Sequence, residues 1–224
     1  MFIGYYNLAN FITLTGLASS VAACFLAFAG NLQVAVMLFM LSGICDCFDG
    51  PVARRSKNRT PSQGVFGVQI DTVSDMVSFG VTPAILLLCM GMHNVIPILR
   101  GGPVLIAVVC MILVFYVMCA GIRLAYFNTL EITKTDKNAP KTFVGMPVPF
   151  SAIVFPLLFL GAVTLPIPGA ISAIIIIAFY FLTAILFISN FTMKKPTGFV
   201  YYLYPAYGII LVVLYVIFGG RLNV

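Results

Sequence analysis

Seven apolar segments run along the chain, separated by short polar stretches. They lie at about residues 9–29, 32–55, 66–91, 101–127, 147–163, 168–191 and 199–218. A helix needs about 20 apolar residues to cross the roughly 30 Å core of a bilayer, and most of these segments reach that length. The pattern predicts an all-α, polytopic transmembrane helix bundle with six to seven or more spans. We expect one transmembrane domain over residues 1–224, with no separate soluble domain.

Two stretches depart from this simple pattern. Residues 1–8 mix aromatic and polar side chains, which favours a short N-terminal segment lying along the membrane interface. They lack a basic region and a cleavage site of small residues, so we expect no removed signal peptide. The fifth apolar segment is short and carries Pro147, Pro149 and Pro156. Neighbouring helices can satisfy the backbone groups that proline frees, so a tilted or broken helix is expected there.

Composition supports a lipid environment and fixes an orientation. The chain is 62% hydrophobic and 8% charged, whereas soluble domains carry about 25% charged residues. The net charge of +6 comes from basic residues beside the spans, so the positive-inside rule explains it without a nucleic-acid partner. An N terminus in the cytoplasm places ten of the twelve basic residues on the cytoplasmic side and the C terminus outside. They are Arg54, Arg55, Lys57, Arg59, Arg123, Lys134, Lys137, Lys141, Lys194 and Lys195, with Arg100 and Arg221 opposite.

The six cysteines and the single histidine offer no metal site of their own. The cysteines all lie in apolar runs without zinc-binding or disulfide spacing, which is typical of buried thiols. His93 is predicted on the side of the membrane opposite to most of the acids. A histidine-rich zinc site is therefore excluded.

Four of the six acidic residues lie within 30 positions, near the predicted cytoplasmic ends of the second and third spans. Asp46 and Asp49 are three residues apart, and Asp71 and Asp75 are four apart, so each pair occupies one helix face. Antiparallel neighbouring helices would bring the pairs together, where four ionised carboxylates repel, so either some are protonated or cations lie among them. Oxygen ligands favour Mg²⁺ or Mn²⁺.

The residues around the acids are compatible with phosphate chemistry. Gly50, Ala53 and Gly67 are small enough to admit a ligand, and a basic stretch follows at 54–59. Metal ions bridging a pyrophosphate, with a carboxylate taking a proton from an attacking hydroxyl, form a coherent arrangement. Two other interpretations stay open, namely structural pairing of the acids with Arg54 and Arg55, and the cation pathway of a coupled transporter. The basic loop at about 128–146 is compatible with contact to anionic lipid head groups.

These residues resemble the CDP-alcohol phosphotransferase family. The family pattern places two aspartates three apart, then Gly, Ala-Arg, a spacer, Gly and two further aspartates. It is matched by residues 46–54 (DCFDGPVAR) and 67–75 (GVQIDTVSD). The spacer has twelve residues here instead of the usual eight, and the extra residues fall in a polar loop where length is tolerated. The matching part runs from about 10 to 149, and residues 150–224 are recognisable only as apolar spans.

The resemblance implies roles for particular residues. It implies two divalent ions, Mg²⁺ or Mn²⁺, held by Asp46, Asp49, Asp71 and Asp75. Asp75 would also be the general base and thus the catalytic residue. The predicted CDP-lipid-binding residues are Gly50, Ala53, Arg54, Gly67, Asn10 and Thr13. Asn10 and Thr13 match an Asn-x-Ile-Thr element of the family's first span, for which a structural helix cap is an equal alternative.

Three further segments resemble the branch of integral-membrane CDP-diacylglycerol–serine phosphatidyltransferases. They are residues 78–84 (SFGVTPA), 121–128 (GIRLAYFN) and 143–149 (FVGMPVP). The resemblance implies transfer of a phosphatidyl group from CDP-diacylglycerol to L-serine, with Arg123 holding the serine carboxylate and Asn128 assisting. The alternative for Arg123 is a snorkelling anchor.

The expected protein is thus a phospholipid-synthesising transferase of the bacterial cytoplasmic membrane, with its active site facing the cytoplasm. The resemblance also implies a homodimer. The same chemistry with glycerol 3-phosphate, inositol phosphate or choline as acceptor remains an alternative. A second basic cluster, which a phosphorylated acceptor would require, is missing from the spans, and this favours a zwitterionic acceptor.

Overall fold

Within the described residues, eight α-helices cover the seven predicted spans. The computed structural model describes residues 4–55, 60–100, 102–133, 143–193 and 200–222. The first four helices are α1 (Leu8–Phe28), α2 (Leu32–Arg55), α3 (Pro61–Asp75) and α4 (Thr82–Met92). The last four are α5 (Gly102–Thr133), α6 (Ser151–Thr164), α7 (Gly169–Ile188) and α8 (Val200–Phe218). The all-α prediction is confirmed.

Five helical segments are long and apolar enough to cross a membrane. They are Leu8–Phe28, Leu32–Arg55, the combined α3–α4 segment Pro61–Met92, Gly102–Leu130 and Gly169–Ile188. Shorter apolar helices cover Val148–Thr164 and Tyr207–Phe218. The predicted multi-pass bundle is therefore confirmed. The predicted orientation, the interfacial role of residues 1–8 and the side of the C terminus stay predictions.

Local sequence explains where the helices of the first half begin. Asn7 caps α1, because its side chain accepts a hydrogen bond from the Asn10 N–H at 2.8 Å. Thr60 and Gln63 form a capping box at the start of α3, and Pro61 takes the first helical position, where its missing N–H costs nothing. The helix therefore begins at Pro61, earlier than the apolar run at 66 predicts.

The third span is one helical segment in which a π-helical turn lies between two α-helical parts. This turn covers Met76–Val81 and joins α3 to α4 directly after Asp75. The fourth span also differs from its prediction, since α5 continues to Thr133. Hydropathy marks where the apolar run ends at about 127, whereas the backbone continues as a helix through the polar residues that follow.

The fifth span shows the expected irregular start. A single 3₁₀ turn, Val148–Phe150, follows Pro147 and leads into α6, which contains Pro156. Just before it, a two-residue strand β1 (Phe143–Val144) pairs antiparallel with β2 (Thr192–Met193) at the end of α7. This short pair ties the entrance of α6 to the exit of α7.

The interior is packed from all parts of the bundle, and the outside is apolar. Phe39 and Phe79 from the first half lie in the same core as Tyr116, Phe155 and Tyr180. Large apolar side chains also cover the outer surface, as expected for helices that contact lipid.

Candidate functional site

The predicted acid cluster is present where α2 and α3 meet. One carboxylate oxygen from each of Asp46, Asp49 and Asp71 lies within 4.8 Å of the others. Asp75 joins the group, because its side chain is within hydrogen-bonding reach of Asp46, while Asp49 is within such reach of Asp71. The contacts Asp46–Asp75 and Asp49–Asp71 therefore each connect α2 with α3, as the three- and four-residue spacings predict.

The donor set fits a hard divalent cation. Asp49 is buried and the other three side chains are partly exposed, so the cluster lies at the edge of the bundle interior. Carboxylates this close repel one another when ionised, and a cation among them removes that repulsion. Among the described residues, the group within 4.8 Å consists of the carboxylates of Asp46, Asp49 and Asp71, and carboxylate oxygens suit Mg²⁺ or Mn²⁺.

Thr13 contacts the cluster directly from α1. Its Oγ1 lies 2.7 Å from Asp49 Oδ2 and donates to that carboxylate, and it is also 3.1 Å from the Ala9 carbonyl of its own helix. Gly16 lies one turn further on, where a Cβ would stand only 3.1 Å from Cys45 Cβ. The glycine allows α1 to approach α2 closely, and this approach brings Thr13 to Asp49.

Asn10 bonds to the backbone just before α1. Its Nδ2 donates to the Tyr5 carbonyl at 2.7 Å, and its side chain is buried. The bond fixes the chain that enters α1. The predicted role of Asn10 and Thr13 in binding the CDP-lipid stays a prediction, as does its structural alternative.

A small pocket lined by hydroxyl groups adjoins the aspartates. Its volume, counted as the space open to the centre of a water molecule, is about 10 Å³, or about one water. Its lining is formed by Thr13, Gly16, Ser42, Asp46, Asp49, Ser74, Asp75, Ser78 and Phe79. Sequence reasoning missed Ser42 and Ser78, although they lie four residues before Asp46 and three after Asp75. This same-face spacing is the signal that could have found them.

The predicted phosphate-side residues lie along the same two helices. Gly50 follows Asp49, and a Cβ there would stand 3.3 Å from an Nη of Arg54. The absence of a side chain at Gly50 lets the exposed Arg54 guanidinium fold back toward the acid-bearing turn. Ala53 belongs to the same turn, and Gly67 precedes Asp71 by one turn of α3.

The residues predicted to bind the acceptor substrate lie on α5, which packs against the π-helical turn. Arg123 is 4% exposed, its Nε donates to the Met146 carbonyl at 3.0 Å, and its guanidinium stands 3.7 Å from the Phe127 ring centre. One of its terminal nitrogens, Nη2, is buried without a hydrogen-bond partner among the described residues. These contacts link Arg123 to the segment before α6.

Asn128 contacts α3, the helix that carries Asp71 and Asp75, through a residue that the sequence did not single out. Its Nδ2 donates to Gln69 Oε1 at 3.4 Å, two residues before Asp71. The Asn128 Oδ1 atom is buried and, like Arg123 Nη2, has no partner in the part of the chain that the structure describes. One free donor and one free acceptor therefore lie on the same helix.

Comparison with known proteins identifies relatives that match most of the chain. The sequence model of the family described as CDP-alcohol phosphatidyltransferase matches residues 6–218. An archaetidylserine synthase of Methanothermobacter thermautotrophicus is 30% identical over 149 residues, which are 66% of this chain and 56% of the relative. A CDP-diacylglycerol–serine O-phosphatidyltransferase of Mycobacterium bovis is 30% identical over 193 residues, 84% of this chain and 61% of the relative.

A third relative, the CDP-diacylglycerol–serine O-phosphatidyltransferase of Saccharomyces cerevisiae, is 36% identical over 115 residues. That match covers 50% of this chain and 36% of the relative. The chain thus spans less than two thirds of the length of each of these three relatives.

Proposed function

Since the chain belongs to the CDP-alcohol phosphatidyltransferase family, we propose that it transfers a phosphatidyl group from CDP-diacylglycerol to L-serine. The products are phosphatidylserine and CMP. The observation that carries the proposal is the cluster of Asp46, Asp49 and Asp71, whose oxygens lie within 4.8 Å at the family's motif positions. The names of the three relatives all refer to serine, which favours this acceptor.

Asp46, Asp49, Asp71 and Asp75 are the residues proposed to hold two ions of Mg²⁺ or Mn²⁺. When bound, such ions neutralise pyrophosphate oxygens and stabilise the charge that develops during phosphoryl transfer. Thr13 serves this arrangement as a positioning residue, because its hydroxyl holds one oxygen of Asp49 at 2.7 Å and so orients the other.

Asp75 is the proposed general base. It accepts the proton of the serine hydroxyl, whose oxygen forms a bond to the β-phosphorus of the CDP-lipid as the bond to CMP breaks. Asp75 is suited to this role because it lies at the edge of the cluster, next to Asp46, and lines the small pocket. The proton then leaves to water, and the carboxylate is ready for another cycle.

The cytidine diphosphate is proposed to lie over the turn of Gly50, Ala53 and Arg54, facing Gly67. The lack of a side chain at Gly50 lets the phosphates approach the backbone, and the exposed Arg54 guanidinium supplies positive charge. The acyl chains stay in the lipid around the bundle. An active site facing the cytoplasm of a bacterial cell, and a homodimer, stay predictions.

Arg123 and Asn128 are proposed to bind the serine zwitterion. Arg123 offers an unused N–H group and Asn128 an unused carbonyl oxygen among the described residues. A carboxylate accepts from the first and an ammonium group donates to the second, so the two ends of serine match the two free groups. The Arg123 guanidinium packs over the Phe127 ring, which fixes its position for this contact.

The first experiment measures CMP release by purified protein in detergent, with CDP-diacylglycerol and Mn²⁺. Serine, glycerol 3-phosphate, inositol phosphate and choline are supplied separately, and Asp75→Asn is assayed beside the wild type. We expect release that requires serine and is lost in the variant. Release with another acceptor would keep the family chemistry and refute serine. Folded protein without release for any acceptor would refute the enzyme and bring the transporter forward.

A second experiment tests the acceptor site. Arg123→Gln should raise the KM for serine by roughly 10- to 100-fold, because a buried charge-assisted contact to the carboxylate is lost. The KM for the CDP-lipid should stay within about 2-fold. Arg100→Gln is the matched control, because Arg100 is exposed and bonds Asn94 at 3.2 Å, near the end of α4 remote from Asp75. Equal effects of the two substitutions on serine KM would contradict the assignment.

A further inference from the structure

The π-helical turn directly follows Asp75, the proposed base, in the chain. It begins at Met76, immediately after Asp75, and its Phe79 lines the same small pocket as Asp75 and Ser78. π-helical turns are rare and need local compensation, because one extra residue is fitted into the helix and the usual hydrogen-bond ladder is broken. Whatever stabilises this turn also fixes the direction of Asp75.

A proline removes one of the hydrogen bonds that an ordinary helix would make here. Pro83 lies four residues after Phe79 and has no N–H, so it cannot donate to the Phe79 carbonyl. Side chains from the other half of the bundle supply the donors. Tyr116 Oη on α5 donates to the Phe79 carbonyl at 2.6 Å, and Ser151 Oγ on α6 lies 3.4 Å from the same oxygen.

Tyr116 is rigidly held in this position. Its side chain is fully buried, and its ring lies edge-on against Phe155 and Tyr180 with centroids 5.5 and 5.2 Å apart. The helix that carries it approaches the π-helical turn closely, because a Cβ at Gly80 would lie 3.5 Å from Ala120 Cβ. The hydroxyl thus comes from a fixed support rather than from a mobile side chain.

We propose that Tyr116 is a positioning residue for the transfer reaction, whose hydroxyl holds the π-helical turn at the Phe79 carbonyl and thereby sets Asp75 against Asp46. Without this donor, the buried carbonyl keeps only the longer contact to Ser151 Oγ at 3.4 Å, and this favours a change of helical register. If the turn changed from π-helical to α-helical hydrogen bonding, the register would shift by one residue. The helix on one side of the turn would then rotate by about 100° relative to the other. Even a partial rotation would move the Asp75 carboxylate away from the cluster.

The test compares two tyrosines of similar burial that bond to different backbone carbonyls. Tyr116 and Tyr215 are both fully buried, and their hydroxyls donate to backbone carbonyls of Phe79 and Pro156 at 2.6 and 2.7 Å. Tyr116→Phe and Tyr215→Phe therefore each remove one short hydrogen bond to a buried backbone carbonyl. The Pro156 carbonyl belongs to α6 and supports no residue assigned to the reaction.

Because the inference rests on the proposed function, two independent readouts are needed. We expect Tyr116→Phe to lower kcat by roughly 10- to 100-fold, with both KM values within about 2-fold, since a displaced catalytic group lowers turnover without weakening substrate binding. Hydrogen–deuterium exchange of the segment 76–82 should become faster in Tyr116→Phe only. Tyr215→Phe should keep kcat within about 2-fold of wild type, at a comparable loss in Tm.

Each readout can overturn the inference. Equal kcat for the two variants, or unchanged exchange at 76–82 in Tyr116→Phe, would refute the role of Tyr116. A wild-type protein without CMP release would refute the proposed function alone, since the exchange comparison still reports on the turn. If Tyr116→Phe does not fold, Ser151→Ala removes the other donor to the same carbonyl. It should lower kcat by about 3-fold, and an unchanged kcat would refute the inference.

Discussion

The first four helices and the last four bury different kinds of side chain. Among the described residues between Leu8 and Met92, the buried polar ones are Asn10, Thr13, Ser19, Ser20, Ser42, Asp49, Ser74, Ser78 and Thr82. From α5 onward the described chain buries Arg123, Ser151, Ser172 and Thr183. Its fully buried aromatic side chains are Tyr116, Phe155, Phe159, Tyr180, Phe187 and Tyr215, whereas the first half has Phe39 and Phe79.

The difference separates two halves of the bundle. We call α1–α4, which carry the proposed site, the reactive half, and α5–α8 the supporting half. Polar groups within a membrane are costly, and Thr13, Ser42, Ser74 and Ser78 line the pocket beside Asp49 where we propose the site. Aromatic rings in the second half supply large, rigid contacts, such as Phe155 stacked on Tyr180 with centroids 3.9 Å apart. The halves meet at the Phe79 carbonyl, where Tyr116 and Ser151 reach the π-helical turn.

The sharpest way to break this comparison is to remove one carboxylate of the cluster. Asp46→Asn keeps the shape of the side chain but takes away a negative charge that faces Asp75. We expect kcat to fall by at least about 100-fold, because ion binding and charge stabilisation depend on that carboxylate. Turnover should recover in part at raised Mn²⁺ concentration, measured as CMP release over a metal titration.

Asp136→Asn is the control for this charge change. Asp136 is one of the two acids outside the cluster and falls in the polar loop of the sequence, outside the residues that the structure describes. It should leave the Mn²⁺ dependence unchanged. A similar loss in both variants would mean that net acidity, and not the cluster, supports activity.

The sequence predicted the reactive half better than the supporting half. Hydropathy located the five helical segments long enough to cross a membrane and the two shorter apolar helices of the described chain, and the spacing of Asp46, Asp49, Asp71 and Asp75 predicted that they converge. Both signals are local, since helical periodicity repeats within a few residues. The segment 143–144, in contrast, pairs with 192–193 about fifty positions away, which no local pattern indicates.

The contacts that position the site were also beyond a reading of the sequence. Thr13 reaches Asp49 across 36 positions, and Tyr116 reaches Phe79 across 37. A threonine in an apolar run is equally compatible with a bond inside its own helix, as Thr15 shows by donating to the Phe11 carbonyl at 2.8 Å. Only the packing of the helices distinguishes these cases.

A smaller effect should follow from removing the hydroxyl of Thr13. Thr13→Val keeps the shape of the side chain and takes away the donor to Asp49, which lies 2.7 Å away. Loss of an outer partner of a metal-binding carboxylate costs roughly 10- to 100-fold in affinity or activity. We expect a fall in kcat or in Mn²⁺ affinity within that range, with little change in Tm.

Thr15→Val is the matched control for that substitution. Its hydroxyl bonds within α1, and its side chain is exposed. The control should keep kcat within about 2-fold of wild type, because an exposed bond inside a helix contributes little. If Thr13→Val behaved like Thr15→Val, the contact between α1 and the acid cluster would have no part in function.

The smallest effect on turnover is expected at the end of the bundle remote from the aspartates. Gly91 lies 16 residues after Asp75, which is about 24 Å along a helix. A Cβ at Gly91 would stand 2.6 Å from Ile98 Cγ1 and 2.8 Å from Leu99 Cγ, in a buried position. Gly91→Ala should lower the free energy of unfolding by about 1–3 kcal/mol through overpacking. The kcat of the folded fraction should not change.

Gly64→Ala completes the comparison, because a Cβ there meets nothing within 4 Å and the residue lies in α3. Alanine is a better helix former than glycine, so the free energy of unfolding of this variant should rise by up to about 1 kcal/mol. Thermal unfolding and CMP release measured on both variants separate stability from turnover. A lower kcat in Gly91→Ala would show that strain at the far end reaches the aspartates. The remote end would then belong to the reactive half, and the line between the two halves would have to be drawn elsewhere.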